Sequence, residues 1–213
     1  MKKIIAMALA AVCLVSASFA LDLEFGGRAI LGRNIAPDGK MSAAIADARA
    51  DKTFDFGGGA YANFALFGGL GIQAEANYIK SQITFTDDKN EKVAYDLHTL
   101  DLAPMVWLNL DLWKLTVGLG AGPNFSIPVA SISDVANATK QDFQFGLIAG
   151  TDVKFYFTQH LGLVLSGRYI MEFEEKNLEI DVAGYKKVNT NIPQYSFSRR
   201  TLYGGLGLEY KLF

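Results

Sequence analysis

The sequence predicts an all-β fold, namely an eight-stranded antiparallel up-and-down transmembrane β-barrel preceded by a cleaved signal peptide. Three observations predict this fold. The chain opens on an export signal, apolar and polar residues then alternate with a period of two, and short connections alternate with long ones.

Composition limits the classes of protein to consider. The chain has 213 residues, of which 50% are hydrophobic and 20% charged, and its formal net charge is −2. It is too apolar to be disordered, and it lacks the basic excess typical of proteins that bind nucleic acid. Because Cys13 is the sole cysteine, we expect no intramolecular disulfide and no cysteine-based metal site, and nothing in the sequence indicates a cofactor.

The first twenty residues have the composition of a signal peptide. Lys2 and Lys3 form a positive start, residues 4–15 are apolar, and Ser18-Phe19-Ala20 fits the small-x-small cleavage site. We therefore predict a signal peptide over residues 1–20 and one barrel domain over residues 21–213. The alternative is a lipoprotein anchored through Cys13, but the residues before that cysteine match the lipoprotein pattern poorly.

Two uncharged stretches, residues 56–74 and 115–133, are long enough for membrane-spanning helices. Glycines and prolines interrupt both, and both alternate with period two. They are therefore predicted to be strands.

The first predicted strand shows the alternation that recurs through the chain. Residues 21–31 carry apolar or small side chains at every second position, and the interleaved positions include Asp22, Glu24 and Arg28. Successive side chains of a strand point to opposite faces, so one face is apolar and the other is polar or glycine. Six further stretches alternate in the same way: residues 54–64, 70–78, 115–121, 143–155, 163–173 and 202–210.

The apolar face of these seven strands carries no charge, and the charged face is rich in glycine. This distribution favours an apolar face toward lipid and a narrow polar lumen. Aromatic residues lie toward the strand ends, as interfacial girdles do: Phe25, Tyr78, Phe125, Phe155, Tyr169, Phe173 and Tyr210. A soluble barrel with its apolar face inward stays open as an alternative.

The eighth strand is predicted over residues 93–108 and is less regular. Its second half places Leu100 and Leu102 on the apolar face, whereas Tyr95 and Leu97 alternate in the opposite phase. A β-bulge near Thr99 and Leu100 would reconcile the two phases.

The connections predict the topology. Short ones are expected at residues 66–69, 109–112 and 158–160, and long polar ones at residues 34–52, 81–92, 127–140 and 174–194. This alternation is typical of periplasmic turns and extracellular loops, so both mature termini are predicted to be periplasmic. An alanine-rich piece at residues 42–50 is a candidate short helix.

Three motifs carry a resemblance to a known family: LGAGPNF at residues 119–125, SGRYIMEF at 166–173 and GGLGLEYKLF at 204–213. With them the whole mature chain resembles the small outer-membrane β-barrel proteins of the OmpX/OmpW/opacity-like group. The resemblance implies a cell outer membrane location, outer-membrane lipid as surroundings, and periplasmic chaperones and the barrel-assembly machinery as partners. It also implies that Tyr210 and Phe213 form the assembly signal, although Phe213 is out of phase with the apolar residues before it.

The charges on the polar face are the candidate site residues. Seven of them are predicted to lie in the lumen as ion pairs or as a gate: Arg28, Asp55, Glu75, Asp101, Lys114, Asp152 and Arg168. An eight-stranded barrel is only wide enough for its side chains to fill. Opposite charges are therefore expected to pair and plug the interior. The alternative is a gate that exchanges partners, with Arg28, Glu75 and Arg168 at its centre.

The predicted function is non-enzymatic. We expect a barrel with a plugged polar lumen that serves envelope structure, or surface interaction with a host or surface ligand through the four long loops. The first alternative is a narrow channel for small solutes, hydrophobic ones among them. The second is a lipid-modifying barrel enzyme, for which Ser81 or Ser126 near His98 would be the candidate pair.

Overall fold

The computed structural model describes ten stretches of the chain. They are residues 22–35, 40–41, 49–52, 54–67, 69–86, 92–129, 143–173, 176–179, 194–197 and 199–212. The predicted signal peptide, its cleavage site and Phe213 lie outside these residues.

Twelve strands follow one another in the described part of the chain. In order they are β1 (Asp22–Asn34), β2 (Lys40–Met41), β3 (Arg49–Lys52), β4 (Phe54–Phe67), β5 (Leu70–Thr86), β6 (Lys92–Leu112), β7 (Leu115–Pro128), β8 (Gln144–Tyr156), β9 (Leu161–Glu172), β10 (Lys176–Glu179), β11 (Gln194–Phe197) and β12 (Arg200–Lys211). Across the same residues, no helix is long and apolar enough to cross a membrane.

Eight of these strands close into the predicted barrel. Each long strand pairs antiparallel with the next long strand along the chain, and β12 pairs with β1 to close the ring. Closure removes free sheet edges, so each of the eight strands pairs with a neighbouring strand on both sides. The prediction of an eight-stranded antiparallel up-and-down barrel is confirmed.

The two ends of the barrel differ. One end of the barrel carries the short connections. The start of the first barrel strand and the finish of the last also lie there, since Glu24 pairs with Lys211. At the other end β5 continues beyond the barrel wall to pair with β3, and β10, β11 and β2 form a separate three-stranded sheet. We call these the short-turn end and the long-loop end. Of the helix predicted over residues 42–50, residues 42–48 lie outside the described part, and Arg49 and Ala50 belong to β3.

The turn predicted at residues 109–112 is wrong by a few residues. Those residues belong to β6, and the turn is formed by Trp113 and Lys114. Asn109 and Asp111 are used within the wall, where they accept hydrogen bonds from Trp107 Nε1 (2.9 Å) and Thr116 Oγ1 (2.6 Å). Trp113 has a φ of 64°, which the first turn position of a tight hairpin requires.

The bulge predicted near Thr99 and Leu100 is also wrong. The pairing of β5 with β6 runs without a shift from Leu70↔Leu108 to Thr86↔Lys92. Leu97 faces the lumen and His98 faces outward, in the same phase as the rest of β6. The sequence pattern suggested a change of phase only because β6 continues past the apolar part of the wall, where its outer face becomes polar. No change of phase is therefore needed.

The interior is packed by matching glycines to large side chains. A Cβ at Gly118 or Gly120 would overlap the ring of Trp107, and one at Gly150 would overlap Arg168. A small barrel accommodates bulky lumen residues by placing small ones beside them. The glycines on the charged face thus leave the space that Trp107 and Arg168 fill.

Candidate functional site

The lumen contains a group of four buried charges that we call the central cluster: Arg28 of β1, Glu75 of β5, Asp152 of β8 and Arg168 of β9. Glu75 accepts hydrogen bonds from both guanidinium groups, with Arg168 Nη2 at 2.5 Å from Oε1 and Arg28 Nη2 on Oε2. Arg168 also donates to both oxygens of Asp152, at 2.7 and 3.1 Å. Two positive and two negative groups therefore neutralise one another.

Neutral side chains add further hydrogen bonds to the central cluster, although the buried Arg28 Nε has no hydrogen-bond partner among the described residues. Gln73 Nε2 and Asn77 Nδ2 donate to Glu75 at 2.7 and 3.2 Å, and Arg28 donates to Ser166 Oγ at 3.3 Å. The Arg168 guanidinium lies 4.9 Å from the centre of the Trp107 ring. Buried charges are tolerated when their hydrogen-bonding groups are matched in this way.

A second group lies toward the short-turn end and consists of Glu24, Lys154 and Glu209. The Lys154 ammonium is 2.5 Å from Glu24 and 2.8 Å from Glu209. Tyr61 donates to Glu209 at 2.7 Å and Tyr156 donates to Glu24 at 3.1 Å. The sequence reasoning did not select these three charges, although alternation puts each of them on the polar face.

A third group lies toward the long-loop end. Arg199 Nη1 and Nη2 donate to Asp101 at 2.9 and 2.8 Å, and Arg199 Nη1 also donates to Glu172 at 3.2 Å. Asp101 further accepts a hydrogen bond from Ser126 Oγ at 2.6 Å. Asp55 is buried on β4. Arg199 was missed because it precedes the regular part of β12. Counting back by two residues from Tyr203 and Thr201, which face the lumen, gives Arg199 as the next lumen position.

Lys114 does not lie in the lumen, contrary to the expectation. It belongs to the exposed turn after β6, and its ammonium lies 4.9 Å from the centre of the Trp113 ring. The alternating pattern was extended one residue too far, into a position that the turn points outward.

Apolar side chains separate the central cluster from the group at the long-loop end. On β9 the lumen residues follow in the order Arg168, Ile170 and Glu172. Ile170 belongs to a buried apolar cluster with Ile30, Ile79, Ala103, Met105, Trp107, Ile148 and Tyr203. This layer was not predicted, because that face was described as polar or glycine and its isoleucines were not recognised as a group.

The residues considered for catalysis do not come together. Ser126 is buried in the lumen beside Asp101, whereas His98 is on the outer face, hydrogen-bonded to Tyr78. Ser81 pairs with Leu97 and shares its lumen phase, so it points away from His98. Among the described residues, no group of three His, Cys, Asp or Glu side chains is placed to hold a metal ion.

The outer face is apolar, and aromatic rings are concentrated near both ends of the wall. Phe125, Phe143, Phe145 and Phe173 form a chain of ring contacts near the long-loop end, with centroids 5.5 to 6.2 Å apart. At the other end Tyr210 stacks on His160 at 5.7 Å. Tyr210, half of the predicted assembly signal, is exposed on the outer face.

Comparisons with known proteins agree with this architecture. The profile of the outer membrane protein beta-barrel domain matches residues 5–192. The structure of the outer membrane protein OprG from Pseudomonas aeruginosa is similar, with a TM-score of 0.72, 14% identity, and coverage of 90% of this chain and 95% of that chain. No curated protein matches the sequence significantly.

Two further solved structures are similar at lower scores. Ail of Yersinia pestis, in complex with the heparin analogue sucrose octasulfate, has a TM-score of 0.47 and 10% identity over 90% of this chain and 99% of that chain. Outer membrane protein W of E. coli has a TM-score of 0.45 and 13% identity over 89% and 97%. The resemblance stated from the sequence motifs is confirmed by the family match. The chain belongs to the outer membrane protein beta-barrel domain family and is an outer-membrane β-barrel protein.

Proposed function

We propose that the protein is a non-enzymatic barrel with a closed lumen, which serves envelope structure or surface interaction through its long loops. The central cluster is the observation that carries this proposal. Glu75 on β5 pairs with Arg168 on β9, four strands away on the opposite side of the ring, and with Arg28 on β1, two strands away. The ion pairs therefore cross the lumen instead of following one wall. A charged group that crosses an eight-stranded barrel fills the space that water would need.

The apolar layer supports the same function. Water and ions that passed the group at the long-loop end would next meet Ile30, Ile79, Ile148 and Ile170, which are buried together. Apolar constrictions oppose the entry of water, and here the constriction adjoins a neutralised cluster. We propose that the network serves to stabilise the barrel and that it does not exchange partners as a gate.

Orientation is the second part of the proposal. Short turns and both ends of the barrel lie together at one end, and the additional strands lie at the other. Outer-membrane barrels place short turns in the periplasm and long loops outside. We therefore propose that the mature termini are periplasmic, that the long loops meet any host or surface ligand, and that chaperones and the assembly machinery recognise the end of β12.

Single-channel recording tests the closed lumen. The wild-type barrel in a planar bilayer is expected to show no steady conductance, because no open path crosses the central cluster and the apolar layer. Glu75→Ala removes the carboxylate that joins both arginines and is expected to produce brief openings, whereas the matched variant Lys114→Ala, outside the lumen, is expected to stay silent. Steady conductance by the wild type would refute a closed lumen.

A path for small apolar solutes through the wall is a second candidate, and one observation favours it. An apolar depression of about 510 Å³ opens on the outer wall between β4, β5 and β6, lined by Phe25, Ala60, Ala62, Ala74, Ala76 and Pro104 among others. Beside it, the pairing of β6 with β7 is interrupted between Leu102↔Phe125 and Val106↔Ala121, around Pro104, which has no N–H to donate. If the depression is an entry, cells producing Pro104→Val will take up an apolar fluorophore more slowly than cells producing the wild type.

A further inference from the structure

Three basic side chains stand on the outer face at the long-loop end: Arg33 of β1, Lys80 of β5 and Arg200 of β12. We call them the basic rim. Each lies where the apolar part of its strand ends. Leu31 precedes Arg33, and Tyr78 precedes Lys80, on the same outer phase, and both apolar side chains are exposed.

The strand register places the basic rim at one level of the wall. Arg33 pairs with Phe54 on β4, and Phe56, two residues further along β4, pairs with Lys80 on β5. On the other side of β1, the Arg200 carbonyl accepts a hydrogen bond from the Ile35 amide at 2.6 Å. The three cations thus lie on β12, β1 and β5, which together with the intervening β4 are four adjacent strands. Since neighbouring strands are about 4.8 Å apart, the rim extends over roughly 15 Å.

Two members of the rim rest on exposed aromatic rings. The Arg33 guanidinium lies 5.9 Å from the centre of the Phe54 ring, and the Lys80 ammonium lies 5.8 Å from the centre of the Phe56 ring. Basic side chains at a membrane surface place their stems along apolar groups and their charged ends in the headgroup layer. Lys80 has a carboxylate partner in Asp96 at 2.6 Å. Within the described residues neither Arg33 nor Arg200 forms an ion pair with a carboxylate.

The opposite side of the barrel differs at the same end. Across the described residues of β7, β8 and β9, the outer phase holds no charged side chain, and the aromatic chain from Phe125 to Phe173 takes the place of the rim. Among the described residues of these strands, positive charge at this end of the outer wall therefore lies on one side. A general preference for basic residues at membrane surfaces would not produce that asymmetry.

We infer that the basic rim binds the phosphate groups of lipid headgroups in the outer leaflet, an assignment of leaflet that rests on the orientation proposed above. Arginine presents a planar fork that matches two phosphate oxygens, and lysine contributes a point charge. Lipid tails would lie against the apolar wall below the rim, and the phosphates would meet the exposed guanidinium groups of Arg33 and Arg200.

Native mass spectrometry of the barrel released from nanodiscs tests the inference. Nanodiscs of phosphatidylcholine would contain either diphosphorylated lipid A or its dephosphorylated form, and the fraction of barrel that retains the glycolipid would be measured. The wild type is expected to retain the phosphorylated form selectively. A basic residue near a charged membrane surface contributes roughly a fivefold change in affinity, so the triple variant Arg33→Gln, Lys80→Gln, Arg200→Gln should bind about a hundredfold more weakly.

The matched control is Lys114→Gln, which removes an exposed cation at the short-turn end and is expected to bind as the wild type does. Charge changes near the interface have little effect on the stability of a barrel, so the triple variant should fold, which heat-modifiable migration on gels would verify. Equal retention of both lipids by the wild type, or equal weakening by Lys114→Gln, would overturn the inference. Lipid A occupies both leaflets of these nanodiscs, so the binding result does not depend on orientation. Labelling of the long loops in intact and in broken cells tests the orientation separately. Labelling only in broken cells would overturn the outer-leaflet assignment and the proposed orientation, whereas the lipid retention measured in nanodiscs would be unaffected.

Discussion

The two faces of the barrel wall are built from the same alternating strands but accommodate side chains differently. On the lumen face a Cβ at Gly120 would overlap Trp107, and one at Gly150 would overlap Arg168. On the outer face a Cβ at Gly27 would meet nothing closer than 3.9 Å, and one at Gly204 nothing closer than 3.8 Å. The lumen is therefore filled by the protein itself, whereas the outer face is left for lipid to cover.

Charge follows the same division. The lumen holds buried charges that are matched with one another, as Glu75 is with Arg28 and Arg168. The outer face holds charge only toward its ends, where Lys80 and Asp96 are each about a quarter exposed. Among the described residues, the lumen charges just named are ion-paired with one another, and Lys80 and Asp96 lie where the apolar part of the outer face ends.

The largest expected effect comes from breaking the neutrality of the central cluster. Glu75→Ala leaves two guanidinium groups without their shared carboxylate, and removing one partner of a buried pair costs about 3–5 kcal/mol. Urea unfolding in detergent micelles measures this loss. The matched variant Gln73→Ala, on the same strand, removes a neutral donor to the same carboxylate and should cost only about 1 kcal/mol. Equal losses in the two variants would show that the charge of Glu75 is not what matters.

Introducing a charge on the outer face tests the other half of the comparison. Leu206 lies midway along β12, is exposed, and pairs with Ala29 and Leu165. Leu206→Arg should cost about 2–4 kcal/mol in a bilayer, as arginine does near the midplane on the lipid face of a barrel. Unfolding from lipid vesicles measures it, with Leu206→Ala as control. A loss below that of Leu206→Ala would mean that this face meets water.

Alternation in the sequence was sufficient to predict the fold and the face of most wall residues, but not the height of a residue in the lumen. Arg28, Glu75, Asp152 and Arg168 could each be assigned to the polar face. Which of them meet depends on the stagger of strands around the ring, and that stagger is a property of the closed sheet. Lys114 was grouped with the lumen charges for another reason, because the alternation was extended into the turn after β6, whereas Lys154 on the polar face was left out.

The ends of strands were predicted least well, for a related reason. Asn109 and Asp111 have the composition of a turn, but each makes a hydrogen bond that keeps it in the wall. The turn was instead formed by Trp113, which has a φ that favours glycine. Arg199 lies just before β12 and was not seen as part of a strand at all. Local composition does not reveal such assignments, because they depend on the partner strand.

Filling the lumen further should have a smaller effect than stranding a charge. Gly120→Ala pushes a methyl group into the ring of the buried Trp107, and overpacking of this kind costs about 1–3 kcal/mol. Gly204→Ala adds the same methyl group on the outer face and should be nearly neutral. The two midpoints of urea unfolding give the comparison directly. Equal stability of the two variants would show that the lumen has room for a methyl group beside Trp107 and is not tightly packed there.

The smallest effect is expected at the polar edge of the outer face. The hydrogen bond from Lys80 holds the pKa of Asp96 below its usual range. On the outer face of β6 the apolar side chains begin at Leu100, and the polar side chains of Asp96 and His98 precede them toward the long-loop end. Because the folded pKa is lowered, the pair contributes stability above the unfolded pKa of about 3.9 and loses it as the pH falls through the folded value.

Asp96→Asn should therefore lower stability by less than about 1 kcal/mol at neutral pH, since exposed pairs contribute little and salt screens them. Unfolding midpoints of the wild type and the variant, measured from pH 7 downward at low and high salt, should converge toward acidic pH and at high salt. A difference that persists at low pH would indicate that Asp96 acts through its shape or its hydrogen bond to Gln82 (2.9 Å), and not through its charge. The stability contributed by Asp96 at the edge of the outer face would then come from side-chain contacts, as it does for the packed residues of the lumen.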